Sequence, residues 1–304
     1  MIRQTQSLPS KVPDFFIVGS AKCGTTTLFH HLSQHPDVFL PTIDKEPGYY
    51  CDTWGTTDPD YYFGLFSGRE PHQITGEAST PYLTCPASPA LIASANPRAK
   101  IIILLRNPAE RAFSLYLQMV KTGLEFLTPF EAALEAETSR AGLDPHSNLV
   151  PGYYFNYLYF ESGRYEVQLR RYRENFPESQ ILVILFEDLV ADLAGVKRNV
   201  FQFLGVEPIE THDEEIQNPA RYPALVPAQF LIKHRLEDPS RRAGIFTGIR
   251  LARTLKNLNL RFGKVPRVSP RTYNSLVRRY AGSIEETSRM IGRDLSAWQI
   301  PRPE

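Results

Sequence analysis

The stretch from Asp14 to Leu28 constrains the fold more than any other part of this 304-residue chain. Phe15 to Val18 is a short, wholly apolar run of the kind that forms a buried strand. It ends at Gly19, and a helical pattern begins near Thr25 and continues to about Gln34. A glycine-bracketed turn from strand to helix aims backbone N–H groups and the positive end of a helix dipole at one point. Ser20, Ala21, Lys22, Cys23 and Gly24 form that turn. Lys22 brings a full positive charge, and Thr25, Thr26 and Thr27 bring hydroxyl donors. The expected ligand is a phosphate or a sulfate. A nucleoside-triphosphatase loop reads G-x-x-x-x-G-K-[ST], with the lysine after the second glycine. Here Lys22 precedes Gly24, and Thr25 takes the place of that lysine.

A second apolar run, Lys100 to Leu105, leads into Arg106-Asn107-Pro108-Ala109-Glu110-Arg111-Ala112-Phe113-Ser114-Leu115-Tyr116. Pro108 suits the first turn of a helix, where its missing N–H is no loss. Arg106 falls at the carboxyl end of the strand, where ligands of open α/β sheets bind. Ser114 lies about two turns into the helix, near the face shared with Arg111. A guanidinium at a strand end and a helix hydroxyl make a second anion clamp.

Together the two segments resemble the cofactor motifs of sulfotransferases that use 3′-phosphoadenylyl sulfate. The resemblance assigns Lys22, Gly24, Thr25, Thr26 and Thr27 to the 5′-phosphosulfate, and Arg106 and Ser114 to the 3′-phosphate. It continues through Lys45-Glu46-Pro47-Gly48-Tyr49-Tyr50, which resembles the K-E-P-x-F-F segment of heparan sulfate 3-O-sulfotransferases and their bacterial relatives. Gly76-Glu77-Ala78-Ser79-Thr80-Pro81-Tyr82-Leu83 is similar to their E-K-[ST]-P-x-Y-F segment, with Ala78 where those enzymes carry lysine. The unit from Gly163 to Leu189 and the tail Ile291-Gly292-Arg293-Asp294-Leu295-Ser296-Ala297-Trp298 also resemble family segments. The resemblance implies a sulfotransferase with 3′-phosphoadenylyl sulfate as co-substrate and no metal. The acceptor would be a hydroxyl or amine of a carbohydrate, glycolipid or natural product. The loss of lysine at Ala78 argues against a heparan-like polyanion.

Strands are expected at 15–18, 100–105 and 180–186, and helices at 25–34, 108–121, 128–138, 161–175, 189–204, 227–236 and 270–292. Only loops and short segments are expected between the first helix and about residue 97. Alternating buried strands and helices imply a P-loop-like three-layer α/β/α fold with a central parallel sheet and a C-terminal helical region. A single domain over 1–304 is expected, with an α/β core over about 13–205 and a basic helical part over about 206–304. Between Lys233 and Arg293 there are 15 Lys/Arg against four acidic residues, although the whole chain is only +1. That stretch is either a solvated helical surface or a wall attracting an anionic cofactor, acceptor or membrane face. Nothing in the overall charge calls for nucleic acid. Cys23, Cys51 and Cys85 follow no metal-binding spacing, so reduced thiols and a cytoplasmic setting are expected. No signal-peptide pattern or run of about 20 apolar residues is present in the sequence.

Sulfuryl transfer needs an activated acceptor, in-line approach to sulfur, and neutralisation of charge on the leaving oxygen, much as phosphoryl transfer does. Glu46 is the candidate general base, stiffened by Pro47. Lys22 is the candidate for the leaving oxygen. Lys45, Glu77 and Tyr82 are candidates for acceptor contact, and Arg221 for a late basic loop over the cofactor. His30, His31 and His35 lie beyond the anion-binding end of the first helix and read as packing or surface residues; His72 lies in a loop. The aromatic run Tyr153 to Phe160 fits either an acceptor cleft or a core. Two other readings remain at this point: a P-loop kinase or nucleoside triphosphatase, and a non-catalytic module that keeps the nucleotide fold.

Overall fold

The structure, a computed structural model, describes residues 12–146, 152–212, 221–236 and 246–303. In chain order the elements are β1 (Phe15–Gly19), α1 (Thr25–Leu32), β2 (Val38–Phe39), α2 (Pro59–Gly64), β3 (Ile74–Ala78), α3 (Pro81–Thr84), α4 (Ser88–Ala95) and β4 (Lys100–Leu105). There follow α5 (Pro108–Thr122), α6 (Phe130–Arg140), α7 (Tyr165–Asn175), β5 (Ile181–Leu185), α8 (Phe186–Ala191), α9 (Leu193–Leu204), α10 (Val226–Leu231), α11 (Phe246–Phe262) and α12 (Pro270–Ile291). The chain divides into two compact units, one of Met1–Leu105 with Arg170–Glu215 and the other of Arg106–Leu169 with Ile216–Glu304.

The first unit holds one sheet in the order β2-β3-β1-β4-β5, parallel at every pairing. Side chains alternate between the faces of a strand, and residues in register share a face. Phe15 and Ile17 on β1, Ala78 on β3, Ile102 and Leu104 on β4 and Ile184 on β5 therefore point one way. They form one buried cluster with Leu28, Phe29 and Leu32 of α1 and Val200, Phe201 and Leu204 of α9. Burying each such side chain contributes about 1.5–3 kcal/mol, so this face stabilises the sheet. On the opposite face Phe16, in register with Glu77, packs edge-on against Tyr50 and Tyr82 with ring centroids 5.5 and 6.3 Å away. Both faces of the sheet are thus covered, as the sequence implied.

Three expectations need correction. The segment between α1 and residue 97 contains β3, which lies next to β1 in the sheet. Its sequence hides it, because Gly76 and Glu77 interrupt any apolar alternation. Gly76 is where the ring of Phe15 rests: a Cβ there would stand 2.1 Å from Phe15 Cζ. Gly76→Ala is accordingly expected to lower unfolding free energy by about 1–3 kcal/mol through overpacking, measured by urea unfolding. The helix expected over 189–204 is two helices. Asp192 ends α8 and caps α9, its carboxylate accepting from the N–H of Gly195 at 2.8 Å. Finally, α11 forms in a stretch where no helix is expected.

The second unit is helical. Its α12 buries Tyr273, Leu276, Val277, Tyr280 and Ile284, the spacing of one helix face. The aromatic run is core rather than cleft. Tyr153, Tyr154, Tyr157 and Tyr159 are all buried, and three of their hydroxyls have named partners within the unit. Tyr154 donates to the carbonyl of Arg140, Tyr157 to that of Leu124, and Tyr159 to the Glu125 carboxylate. Glu125 is fully buried and bridged by both terminal nitrogens of Arg140 at 2.7 and 3.1 Å.

Candidate active site

In the first unit β1 ends at Gly19, and the loop Ser20–Gly24 turns the chain into α1. Gly24 precedes the helix in the left-handed region (φ +91°), which favours glycine. Lys22 is itself left-handed (φ 72°), and within the loop the N–H of Cys23 turns back to the carbonyl of Ser20 at 3.2 Å while that of Ser20 donates to the Leu104 carbonyl at 2.7 Å. Gly24 has no side chain with which to cap α1, and the first turn of the helix carries no acidic residue. Elsewhere Asp58, Asn107, Asp192 and Ser269 do cap their helices. The amides at the start of α1 thus lack a side-chain acceptor from the preceding residue, as an anion site requires. Lys22, Thr26 and Thr27 are half-buried around this end, while Ser20, Cys23 and Thr25 are buried.

Glu46 is linked to the strand end from which this loop starts by one intervening residue. A Cβ on Gly19 would lie 3.0 Å from the carbonyl oxygen of Thr80, so the end of β1, where the loop begins, runs close against Thr80. The hydroxyl of Thr80 donates to one oxygen of Glu46 at 3.0 Å, and Lys45 Nζ donates to the other at 3.1 Å. Both carboxylate oxygens are held, and the side chain stays partly exposed.

Glu77 and Tyr82 do not face an acceptor. Both are fully buried, because the pleat turns Glu77 into the tyrosine-lined face of the sheet. Glu77 accepts from Ser79 Oγ at 2.6 Å and from Tyr62 Oη at 2.5 Å, and Tyr82 is a third partner. Ser79 Oγ in turn accepts from the N–H of Gly48 at 3.0 Å, and Tyr82 Oη from the N–H of Tyr50 at 3.1 Å. The pair therefore anchors the turn after Glu46. Burial pushes the Glu77 carboxyl up to about 7, while the hydroxyl donors pull it down. The native state then binds this proton more tightly than the unfolded chain. Stability is expected to fall by about 3 kcal/mol as pH rises from about 4.5 through 7. Glu77→Gln cannot titrate, so urea unfolding at about pH 5 and pH 8 should show the wild type losing ground to it at the higher pH.

Cys51 and Cys85, without any metal-like spacing, meet Asp52: their ligand atoms lie within 4.8 Å of one another. Cys85 Sγ contacts Asp52 Oδ1 at 3.1 Å, and both thiols are buried. This contact joins the loop after Tyr50 to the end of α3.

The second unit carries the other motif. Arg106 forms an ion pair with Glu110 at 2.9 Å, and Glu110 is shared with Arg302 at 2.8 Å. Asn107 caps α5 by accepting from the N–H groups of Ala109 and Glu110. Its amide donates to Tyr273 Oη and to the carbonyl of Trp298, while Tyr165 Oη donates to the carbonyl of Arg106. The tail around Trp298 thus fixes the start of α5. Arg111 is structural: fully buried, it donates to the Tyr159 carbonyl and to Ser162 Oγ at 2.9 and 2.8 Å. Ser114 is half-buried on α5, and Arg221 is exposed near Lys121.

Of the three histidines expected to be packing or surface residues, His31 on α1 and His35 just past its end are buried. His31 Nδ1 lies 2.9 Å from Thr211 Oγ1. His35 accepts from the N–H of Asp37 at Nδ1 and faces the Glu207 carbonyl with Nε2, which assigns the Nε2–H tautomer. His72 is exposed beside Asp37.

Residues 12–222 match the sulfotransferase domain family. Heparan sulfate glucosamine 3-O-sulfotransferase 6 of Mus musculus is 31% identical over 222 residues, covering 72% of this chain and 60% of that protein. Bifunctional heparan sulfate N-deacetylase/N-sulfotransferase 2 of Homo sapiens is 28% identical over 212 residues, 65% of this chain and 22% of that protein. The chain thus spans about three-fifths of the length of the first relative and about a fifth of the second. The crystal structure of a sulfotransferase from Alicyclobacillus acidocaldarius superposes with a TM-score of 0.72 at 29% identity, covering 95% of this chain and 99% of that one. With the family match spanning most of the chain and the parallel sheet turning into α1 through a glycine-bracketed loop at the end of β1, this protein belongs to the sulfotransferase domain family.

Proposed function

We propose that the protein transfers a sulfuryl group from 3′-phosphoadenylyl sulfate to a hydroxyl or amine of a carbohydrate, glycolipid or natural product, with 1–304 acting as one sulfotransferase domain. The observation that supports this is the close approach of Gly19, the last residue of β1 before the Ser20–Gly24 loop, to Thr80, whose hydroxyl holds Glu46. An anion-binding loop and a positioned carboxylate one residue apart are what in-line transfer from an anionic donor requires.

The residues present fit such a donor. The α1 amides left without a side-chain cap, Lys22 and the hydroxyls of Thr25 to Thr27 are all donors, with no acidic side chain among them. The co-substrate supplies a sulfuryl group on a phosphate leaving group. Lys22 and the α1 amides would neutralise the phosphate oxygen that takes up the electron pair as its bond to sulfur breaks. Glu46 would accept the acceptor's proton as the new bond to sulfur forms. Arg106 and Ser114 would bind the 3′-phosphate, with Arg221 a further cationic partner. Arg106 would then exchange part of its contact with Glu110 for phosphate, a bidentate partner that suits guanidinium. Lys45 would steady Glu46, and Glu77 and Tyr82 would hold its turn from beneath.

Ala78 also bears on the acceptor. Its side chain lies in the buried cluster beneath the sheet, where a lysine would have no solvent. The cation that the heparan enzymes carry in this segment is absent here, which favours a less anionic acceptor than heparan. No helix among the described residues is long and apolar enough to cross a membrane.

Calorimetric titration with 3′-phosphoadenosine 5′-phosphate, beside ATP with magnesium, tests the donor class. Micromolar binding of the bisphosphate without metal is expected. Binding of ATP with magnesium alone would replace the proposal by a kinase or nucleoside triphosphatase. Silence from both ligands would indicate a non-catalytic module.

A further inference from the structure

Between Pro239 and Ile284 the chain carries eleven Lys/Arg and no Asp or Glu. In the middle of this stretch lies α11, a helix with more apolar surface than its packing uses. Ala252 and Leu260 are buried on one side of it. Leu255, Leu258 and Phe262, spaced i, i+3 and i+7, fall within an arc of about 60° on another side. These three are 39, 49 and 68% exposed. Leu225, itself 65% exposed, is pinned beside them: its N–H and carbonyl both pair with the side-chain amide of Asn259. Val265 continues the apolar surface beyond the end of the helix. Arg261, Lys264 and Arg267 are exposed along the same stretch.

We propose that this face of the second unit docks on the surface of an anionic lipid bilayer. An apolar ridge flanked by cations matches the two layers of such a surface. The leucines and Phe262 enter the acyl boundary while the arginines and lysines remain among the headgroups. A second copy of the chain is a poor occupant, since it would set the same acid-free stretch against itself. A polyanionic glycan would satisfy the cations and leave the exposed leucines and Phe262 in water. The bilayer satisfies both. The proposal stands apart from the sulfuryl-transfer chemistry, because none of these residues belongs to the anion loop or the Glu46 turn.

Co-sedimentation of the full chain tests it, using vesicles of phosphatidylcholine alone and of phosphatidylcholine mixed equally with phosphatidylglycerol. Binding to the mixed vesicles, weak or absent on neutral ones, is expected, and it should weaken as salt rises from about 0.1 to 0.5 M. The double variant Leu258→Asp, Phe262→Asp should reduce binding about tenfold or more by removing the inserted apolar side chains. The triple variant Arg261→Gln, Lys264→Gln, Arg267→Gln should erase the preference for anionic lipid while leaving the ridge in place. All five positions are exposed, and circular dichroism and thermal unfolding verify that each variant folds. Absence of vesicle binding would overturn the proposal, as would binding unaffected by both variants. Heparin binding without vesicle binding, or a dimer by light scattering that the Leu258→Asp, Phe262→Asp variant abolishes without any vesicle binding, would assign the face to those partners instead.

Discussion

Glu46→Gln is expected to lower kcat by roughly 10²–10⁴-fold while leaving the affinity for 3′-phosphoadenosine 5′-phosphate unchanged. The substitution keeps the size of the side chain and can still accept from Thr80 Oγ1 and Lys45 Nζ, the two donors that hold the carboxylate. What it removes is the capacity to take a proton. A loss confined to kcat, with the bisphosphate titration superimposable on the wild type, is the signature of a group used at the chemical step. Unchanged turnover would remove Glu46 as the base. Thr80→Ala separates positioning from proton transfer: Glu46 remains but loses its tether to the residue that lies against Gly19 at the end of β1. An intermediate kcat is expected, with Thr80→Ser restoring it, because serine keeps the donor.

The parts of this site that the sequence makes legible are those whose parts are neighbours in the chain. Lys22, Gly24 and Thr25 announce an anion loop because the strand end, the turn and the helix start are contiguous, and the same holds for Arg106 and Pro108 after β4. What holds Glu46 is illegible for the opposite reason. Thr80 reaches Glu46, and Ser79 the N–H of Gly48 just after it, from far along the chain, and no periodicity links residues so far apart. The strand that carries Glu77 is masked by its own chemistry. Gly76 yields its volume to Phe15, and Glu77 is a buried carboxyl among tyrosines, so neither residue reads as strand. The family motif points Glu77 and Tyr82 to acceptor contact, yet alternation along β3 sends Glu77 inward, where it holds the turn after Glu46. The leucines of α11 do repeat with helical spacing, but they sit among arginines and lysines in a stretch that reads first as a run of charge.

Lys22→Ala is expected to cost roughly 10²–10³-fold in kcat and to weaken 3′-phosphoadenosine 5′-phosphate binding as well. Both effects follow from one position. Lys22 sits inside the loop that leads into α1, so its charge would serve a phosphate bound there. It would serve best when the bond to sulfur breaks and the leaving oxygen gathers charge. The kcat loss should therefore exceed the loss in affinity for the bisphosphate, which carries its full charge throughout. Alanine is the informative replacement. Lys22 adopts φ 72°, a conformation costly for any side chain with a Cβ, so alanine keeps that backbone cost while removing the ammonium. Glycine would relax the loop at the same time and confound the two effects. Lys22→Arg restores charge without the compact ammonium and should recover binding more fully than turnover. Equal losses in kcat and in bisphosphate affinity for Lys22→Ala would reduce Lys22 to a ground-state phosphate ligand. The chemical step would then rest on the α1 amides and Glu46.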